Sequence, residues 1–279
     1  MKVAICGLGL IGGSFARAYK NEGHTVLGYD TNDETTEFAV RNGICDGLYR
    51  ADEIKECDLL ILAICPDAAV RYLESIAHVI GNKCTVIDIC GTKRGICEAA
   101  YALSPKYGFR FCGTHPMAGL HFSGIQYSRA DLFNGASMVI VPPIDADEDF
   151  IDSIRSLLSP AGFGRFTVCN AEEHDKMIAY TSQLAHVVSN AYVKSPTAKM
   201  HHGFSAGSYK DLTRVAKLDE NMWTELFLQN GEFLTAEIDH IIASLSEYRD
   251  AIVNNDPNTL RALLREGRIL KEETDGYGI

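Results

Sequence analysis

The chain has 279 residues, of which 46% are hydrophobic and 23% charged, as is typical of a soluble globular protein. Its formal net charge of −11 argues against nucleic acid or an anionic membrane surface as the main partner. The nine cysteines form no CxxC pair and several lie in apolar runs, so we expect buried free thiols and a cytoplasmic protein.

Short apolar runs alternate with amphipathic stretches of helical length over the first 170 residues. This alternation predicts an α/β fold with a Rossmann-type, doubly wound, mostly parallel sheet and helices on both faces. Two of the helices are expected at Pro66–Ile80 and Glu148–Leu158. The expected strands are Lys2–Cys6, Thr25–Asp30, Leu59–Cys65, Thr85–Cys90, Arg110–Gly113, Ser137–Val141 and Arg165–Val168.

A glycine-rich turn follows the first predicted strand and begins a helix. Gly7, Gly9 and Gly12 match the pattern G-x-G-x-x-G, in which glycines permit a tight turn, close approach to a pyrophosphate and close helix–strand packing. The helix N-terminus would offer backbone N–H groups to the phosphates. We therefore expect a dinucleotide cofactor to bind at Gly7, Leu8, Gly9, Leu10, Ile11 and Gly12.

An acidic residue follows at the end of the second predicted strand. Asp30 lies 18 residues beyond Gly12, where a carboxylate can accept hydrogen bonds from the ribose hydroxyls of NAD. A 2′-phosphate would be repelled there, and the next residues, Thr-Asn-Asp, offer no arginine or lysine to bind it. The sequence therefore predicts NAD rather than NADP.

The stretch GTHPMAG follows the predicted strand Arg110–Gly113 and places a histidine just past the carboxyl end of that strand. Ligands bind at this edge of open α/β sheets. Pro116 biases His115 toward an extended conformation, and an imidazole near neutrality can take a hydroxyl proton while hydride leaves. His115 is thus a candidate catalytic base, and the alternative is a turn histidine that only hydrogen-bonds to backbone.

From Ala171 onward the sequence contains no convincing strand pattern. Helices are predicted instead at Ala171–Lys194, Ser208–Leu218, Glu220–Asn254 and Pro257–Glu273. The third has too many apolar positions for a helix surrounded by water, which suggests an intertwined dimer of helical domains. We predict a dinucleotide-binding domain over residues 1–170 and an all-α substrate and dimerisation domain over residues 171–279.

A polar stripe marks the first of these helices. Ser182, His186 and Asn190 follow one another at intervals of four, and Gln183 precedes His186 by three. Such a stripe forms either an interhelical hydrogen-bond network or one wall of a polar pocket.

A basic segment follows in a chain that is otherwise rich in acids. Arg214 lies between Lys210 and Lys217, and a guanidinium can bind the carboxylate of a small anionic substrate bidentately. The alternative is a surface arginine paired with Asp211 or Glu220.

Two further features have simpler interpretations. Trp223 is the only tryptophan, and taken alone it would be a core residue. His201 and His202 are adjacent but have no third ligand at a suitable spacing, so we expect no metal site.

Taken together, these motifs resemble the prephenate/arogenate dehydrogenase family of tyrosine biosynthesis over nearly the whole chain. The glycine turn is shared with many dehydrogenases, whereas HPMAG followed later by KDxTRxA is much more specific. The matching pieces are GLGLIGGS, GTHPMAG…SG, the pair His174–Asp175, the helix around His186, and KDLTRVAK…MW.

The resemblance implies a cytoplasmic homodimer that uses NAD to convert prephenate into 4-hydroxyphenylpyruvate by oxidative decarboxylation. His115 would assist deprotonation of the ring hydroxyl, and Arg214 would hold a substrate carboxylate. His186 and Trp223 would line the substrate pocket. Hydride would leave the hydroxyl-bearing carbon, and the ring carboxylate would depart as CO2 without a metal because aromatisation drives the step.

One departure from the family pattern concerns the catalytic histidine. Gly91 stands where members often carry a serine that contacts this histidine. Thr92, Cys90 or a water molecule would have to substitute, and Thr92 is a candidate substrate contact.

Other departures leave the substrate open. Gln183 replaces a pocket histidine, and Leu120 and His121 stand where an acidic residue is common. Arogenate is therefore the alternative substrate. A non-catalytic NAD sensor and a β-hydroxyacid dehydrogenase are less favoured, since the latter usually has a catalytic lysine where this helix has central His186.

Overall fold

The computed structural model describes residues 1–120 and 122–275. Within these residues one sheet of eight strands has the order β3-β2-β1-β4-β5-β6-β7-β8, and neighbouring strands are parallel except β6 and β7. The predicted mostly parallel, doubly wound sheet is therefore confirmed. Its strands are β1 (Lys2–Cys6), β2 (Thr25–Tyr29), β3 (Gly47–Leu48), β4 (Leu59–Leu62), β5 (Thr85–Asp88), β6 (Arg110–Pro116), β7 (Ser137–Val141) and β8 (Arg165–Val168).

Among the described residues, five α-helices lie between these strands, and they cover both faces of the sheet. Alternate residues of β1 point to opposite faces, so Val3 joins one apolar cluster and Ala4 joins the other. The first cluster includes residues of α1 and α5, and the second includes residues of α3 and α4. The helices are α1 (Leu10–Asn21), α2 (Asp33–Arg41), α3 (Pro66–Ile76), α4 (Arg94–Tyr107) and α5 (Glu148–Leu158).

The strand order reverses between β1 and β4. Strands β2 and β3 lie on one side of β1, whereas β4 to β8 lie on the other. The carboxyl ends of β1 and β4 therefore border the crevice in which ligands bind in sheets of this topology.

Strand β6 is longer than predicted, and this changes the setting of His115. Its parallel pairing with β5 ends at Gly113, opposite Asp88, but its antiparallel pairing with β7 continues through His115, opposite Val139. The predicted end at Gly113 was wrong, because β7 extends the ladder beyond the parallel partner. His115 lies within an extended strand rather than in the turn that follows it.

The described residues beyond Asn170 form helices and connecting turns, which confirms the helical character of this region. A single predicted helix over Ala171–Lys194 is observed as α6, a π-helical turn at Ala179–Leu184, and α7. The helices are α6 (Ala171–Ile178), α7 (Ala185–Tyr192), α8 (Gly207–Thr213), α9 (Glu220–Gln229), α10 (Gly231–Val253) and α11 (Pro257–Asp275).

The predicted continuous helix over Glu220–Asn254 was wrong, because α9 ends at Gln229 and α10 begins at Gly231. The residue between them, Asn230, is completely buried and uses its side chain for hydrogen bonds. Residues 1–230 form one compact unit, and a second unit begins at Gly231. The domain boundary at residue 170 stays a prediction. None of the described helices is long and apolar enough to cross a membrane.

Candidate active site

The turn between β1 and α1 has the shape that a dinucleotide requires. Gly7 has a φ of +90°, and a Cβ there would overlap the carbonyl oxygen of Ala63. A Cβ at Gly12 would overlap the carbonyl oxygen of Gly7. By contrast, a Cβ at Gly9 would meet no atom of the described residues within 4 Å, so this glycine leaves open space beside the turn. A pyrophosphate can approach the backbone closely in that space.

The carboxylate of Asp30 is fastened to the same turn. The backbone N–H of Leu8 donates to its Oδ2 at 2.8 Å, and the N–H of Asn32 donates to its Oδ1 at 2.9 Å. Leu10 and Ile11 open the adjacent helix. The residues predicted to bind the cofactor are thus adjacent in space, and their contacts with NAD stay a prediction.

Three side chains form a hydrogen-bonded chain from β6 into α6. His115 Nδ1 lies 2.9 Å from His174 Nε2, and His174 Nδ1 lies 2.7 Å from Asp175 Oδ1. Asp175 also accepts from the backbone N–H groups of Lys93 (2.7 Å) and Arg94 (3.0 Å). His174 and Asp175 are buried, whereas His115 is half-buried.

These contacts determine where the protons lie. Burial raises the pKa of Asp175, but the hydrogen bonds from His174 and from two backbone N–H groups outweigh it and hold that pKa below its usual value. The ionised carboxylate accepts from His174 Nδ1–H, which leaves His174 Nε2 as an acceptor. His115 must then donate through Nδ1–H, so its Nε2 is unprotonated and has a lone pair that can take a proton.

The surroundings favour the neutral form of this imidazole. Burial lowers the pKa of His115 well below its usual value, and the nearby His174 and the ammonium of Lys93 lower it further. Lys93 is completely buried and forms an ion pair with the equally buried Asp88 at the end of β5. Each of these effects disfavours the charged form of His115.

Thr92 and Cys90 were the expected substitutes for the serine that is missing at Gly91, but the hydrogen bond observed at His115 Nδ1 joins it to His174. Thr92 Oγ1 donates instead to Gln229 Oε1 at 2.6 Å, and Cys90 Sγ donates to a backbone carbonyl at 3.6 Å. The contact of Thr92 with a substrate stays a prediction.

A second histidine lies against the only tryptophan. The rings of His186 and Trp223 are stacked with their centroids 3.8 Å apart, and His186 Nδ1 lies 2.9 Å from the carbonyl oxygen of Ser182 in the π-helical turn. Burial lowers the pKa of His186, the hydrogen bond with the Ser182 carbonyl opposes this effect, and the positive charge of Arg214 lowers the pKa further. Two of the predicted substrate-binding residues, His186 and Trp223, are therefore in contact.

A cavity of about 340 Å³ opens beside Trp223 between α7 and α9. Asn190 lines this cavity and also donates to the carbonyl oxygen of Ala216 at 3.4 Å. The polar stripe thus contributes both to helix packing and to the wall of a pocket.

Gln183 and Asn230 form a buried amide pair. Asn230 Nδ2 donates to Gln183 Oε1 and to the carbonyl oxygen of Asp175, both at 2.8 Å, while Gln183 Nε2 donates to the carbonyl oxygen of Leu226 at 3.1 Å. Arg94 donates to Asn230 Oδ1 at 3.3 Å. The pair ties α9 to the helix that carries Asp175, and a substrate contact of Gln183 stays a prediction.

Sequence reasoning did not single out several of these residues. His174 and Asp175 were noted only through the family resemblance. The sequence did not mark Asn230 as a helix break, because the helical pattern continues on both sides of it. The sequence did contain a signal for the buried ion pair. An acid, Asp88, and a lysine, Lys93, lie five residues apart at the end of a buried strand. His121 lies outside the described residues.

Comparisons with known proteins match most of the chain to one family. Residues 15–166 match the model of the prephenate dehydrogenase nucleotide-binding domain, and residues 170–266 match that of the prephenate dehydrogenase dimerization domain. The chain is 29% identical to a prephenate dehydrogenase of Bacillus subtilis, with 98% of this chain and 75% of the relative covered. It is also 29% identical to a cyclohexadienyl dehydrogenase of Zymomonas mobilis, with 95% and 93% covered.

Two solved structures share the whole fold. One is prephenate dehydrogenase from A. aeolicus in complex with hydroxyphenyl propionate and NAD+, with a TM-score of 0.81, 29% identity and 98% of each chain covered. The other is an arogenate dehydrogenase from Synechocystis, with a TM-score of 0.81, 25% identity, and 98% of this chain and 100% of that chain covered.

Proposed function

This chain belongs to the prephenate dehydrogenase family, and from that premise we propose that it converts prephenate into 4-hydroxyphenylpyruvate by oxidative decarboxylation. It is an NAD-dependent dehydrogenase with a glycine turn that leaves room for a pyrophosphate. The observation that carries the proposal is the His115–His174–Asp175 chain, because it leaves an unprotonated imidazole nitrogen on a neutral base.

The turn geometry supports our assignment of the cofactor-binding residues. Backbone groups from Gly7 to Gly12 would hold the pyrophosphate, and the Asp30 carboxylate would accept from the ribose hydroxyls. Bound NAD supplies the hydride acceptor.

His115 acts on the hydroxyl group of the substrate ring. Its Nε2 takes the hydroxyl proton as the hydrogen on the same carbon leaves as hydride. The bond to the ring carboxylate then breaks, CO2 departs, and its electron pair completes the aromatic ring. The negative charge that this places on the ring oxygen is neutralised when His115 returns the proton, which gives the phenol. The positive charge that forms on His115 is stabilised by the hydrogen bond to His174 and, beyond it, by ionised Asp175.

The substrate carries two carboxylates in a protein of net charge −11, so a cation must hold it. We assign this role to Arg214, whose positive charge acts on the imidazole of His186, the ring that stacks on Trp223.

Replacing Arg214 by alanine should raise KM for prephenate by about 10- to 100-fold with a much smaller change in kcat, because a charge-assisted hydrogen bond contributes about 1.5–3 kcal/mol. Steady-state kinetics measure this effect. Lys217→Ala removes an exposed cation from the same segment and is the matched control. An unchanged KM in Arg214→Ala would refute the anchor role.

Replacing Asp30 by asparagine should raise KM for NAD by about tenfold or more and narrow the gap between NAD and NADP. Asparagine keeps an oxygen for the Leu8 N–H but loses the charge that repels a 2′-phosphate. Initial rates with each cofactor test this, with Asp33→Asn as the control for an exposed neighbouring acid. Unaltered cofactor preference would count against Asp30 as the selecting residue.

The function itself is tested by following NADH or NADPH formation on prephenate and arogenate, each with NAD and with NADP. We expect turnover of prephenate with NAD, and rates at least about tenfold lower with NADP. Faster turnover of arogenate would favour the second candidate, which the likeness to the Synechocystis arogenate dehydrogenase supports. No reduction of NAD with either substrate would reject both and favour a sensor.

We further propose that the protein works as a homodimer in the cytoplasm. The match to a dimerization domain supports the dimer, as do exposed apolar side chains on α10 and α11, such as Leu245 and Leu264. The nine free cysteines, most of them buried, suit a reducing compartment.

A further inference from the structure

Helix α9 is hydrogen-bonded to the segments that follow both β4 and β5. Glu225 Oε1 accepts from the backbone N–H of Asp67 at 2.8 Å, in the first turn of α3. Gln229 Nε2 donates to Asp67 Oδ1 at 2.6 Å, and Gln229 Oε1 accepts from Thr92 Oγ1 at 2.6 Å. One amide side chain therefore joins α9 to two segments at the carboxyl edge of the sheet.

The same amide holds two acids together. Gln229 Nε2 lies 2.6 Å from Asp67 Oδ1 and 3.5 Å from Glu225 Oε1, so it is the donor between two carboxylates. Without this donor the Asp67 carboxylate would lose its amide partner, and its repulsion of Glu225 would oppose the hydrogen bond from the Asp67 N–H that holds α9 to α3.

The other contacts of α9 lie on the substrate and catalytic side. Trp223 stacks on His186, and the side chain of Leu226 lies 3.1 Å from where a Cβ at Gly91 would be. Asn230, directly after the helix, donates to the backbone carbonyl of Asp175.

Helix α9 thus extends from the proposed cofactor crevice to the proposed substrate pocket. Asp67 follows β4, whose carboxyl end borders the crevice between β1 and β4 where dinucleotides lie in this fold. A helix of ten residues is about 15 Å long and moves largely as one body. A shift of its Gln229 end is therefore carried to Trp223 and to the ring stacked on it.

We propose that Gln229 and Glu225 are positioning residues that couple occupation of the cofactor crevice to the shape of the substrate pocket, through α9. The inference rests on the proposed function, since it takes the pocket beside His186 and Trp223 as the substrate site. NAD and an aromatic carboxylate substrate then bind cooperatively, each favouring the α9 position that the other requires.

The test is a pair of calorimetric titrations with hydroxyphenyl propionate, once without NAD and once at saturating NAD. The wild type should bind this analogue at least about fivefold more tightly with NAD present. In Gln229→Leu this ratio should fall below about twofold, and KM for prephenate should rise more than kcat falls. Leu228→Gln, at a neighbouring position that is 77% exposed, is the matched control and should keep the wild-type ratio.

A double variant that removes one of the two negative charges distinguishes a positioning role of Gln229 from a contribution to stability alone. Adding Glu225→Gln to Gln229→Leu removes one negative charge but keeps a side-chain oxygen that can accept from the Asp67 N–H, so it should restore much of the lost cooperativity. Thermal unfolding of each variant checks that it is folded. Wild-type cooperativity in Gln229→Leu, no cooperativity in the wild type, or no recovery in the double variant would overturn the proposal. Failure of the analogue to bind even with NAD would instead reject the proposed substrate class.

Discussion

Replacing His115 by asparagine should lower kcat by about 10²- to 10⁴-fold, the contribution expected of a general base. An amide can still reach a hydrogen-bond partner, but its nitrogen has no lone pair that takes up a proton at neutral pH. Because His115 belongs to β6 and not to the glycine turn, the affinity for NAD should change little. Steady-state NADH formation and an NAD titration measure the two quantities.

The matched control is His78→Asn, which alters an exposed histidine and should retain wild-type kinetics. Wild-type turnover in His115→Asn would show that another group takes the proton. A parallel loss of NAD affinity would show instead that the substitution disturbs the cofactor site.

Replacing Asp175 by asparagine should lower kcat by at least about 100-fold through a reversal of the proton order along the chain. When the amide nitrogen takes the position of Oδ1, its N–H donates to His174 Nδ1, and His174 must protonate on Nε2. His115 must then accept through Nδ1 and protonate on Nε2. The base loses its lone pair. In the serine-protease triad, which is the worked case for this effect, the equivalent change lowers kcat by about 10⁴-fold.

Asp175 is buried and accepts several hydrogen bonds, so its loss also threatens the fold. The comparison of His174→Gln with His174→Phe avoids this difficulty. Glutamine keeps an acceptor for His115, whereas phenylalanine keeps a ring without one, so the glutamine variant should retain clearly more turnover. Equal activity in the two variants, with unchanged thermal unfolding, would refute the orienting role of His174.

Local patterns were sufficient to predict the parts of the fold that depend on short-range chemistry. The glycine turn, Asp30 and the buried strands could be predicted because backbone approach and strand burial dictate residue types within a few positions. The end of β6 could not, because it depends on pairing with β7, and nothing near Gly113 in the sequence reports that partner.

Residues that act through distant partners were the hardest to predict. The contact between His115 and His174 joins residues 59 positions apart, and only the family resemblance drew attention to His174. The break at Asn230 was missed because the helical pattern in the sequence continues through it. The position of its buried amide is determined instead by hydrogen bonds to α6 and the π-helical turn. Gln229 likewise looked like an ordinary polar position on a helix.

The protonation state of His115 is the most direct test of the mechanism. Protein labelled with ¹⁵N-histidine, with His115 assigned by comparison with His115→Asn, reports which ring nitrogen carries the proton. We expect Nδ1 to be protonated and Nε2 unprotonated at pH 7. The ring should stay neutral as the pH falls through the range in which an exposed histidine takes up a proton, because burial, His174 and Lys93 lower its pKa. A proton on Nε2 at pH 7, or uptake of a second proton in the ordinary range, would contradict the assignment of His115 as the base.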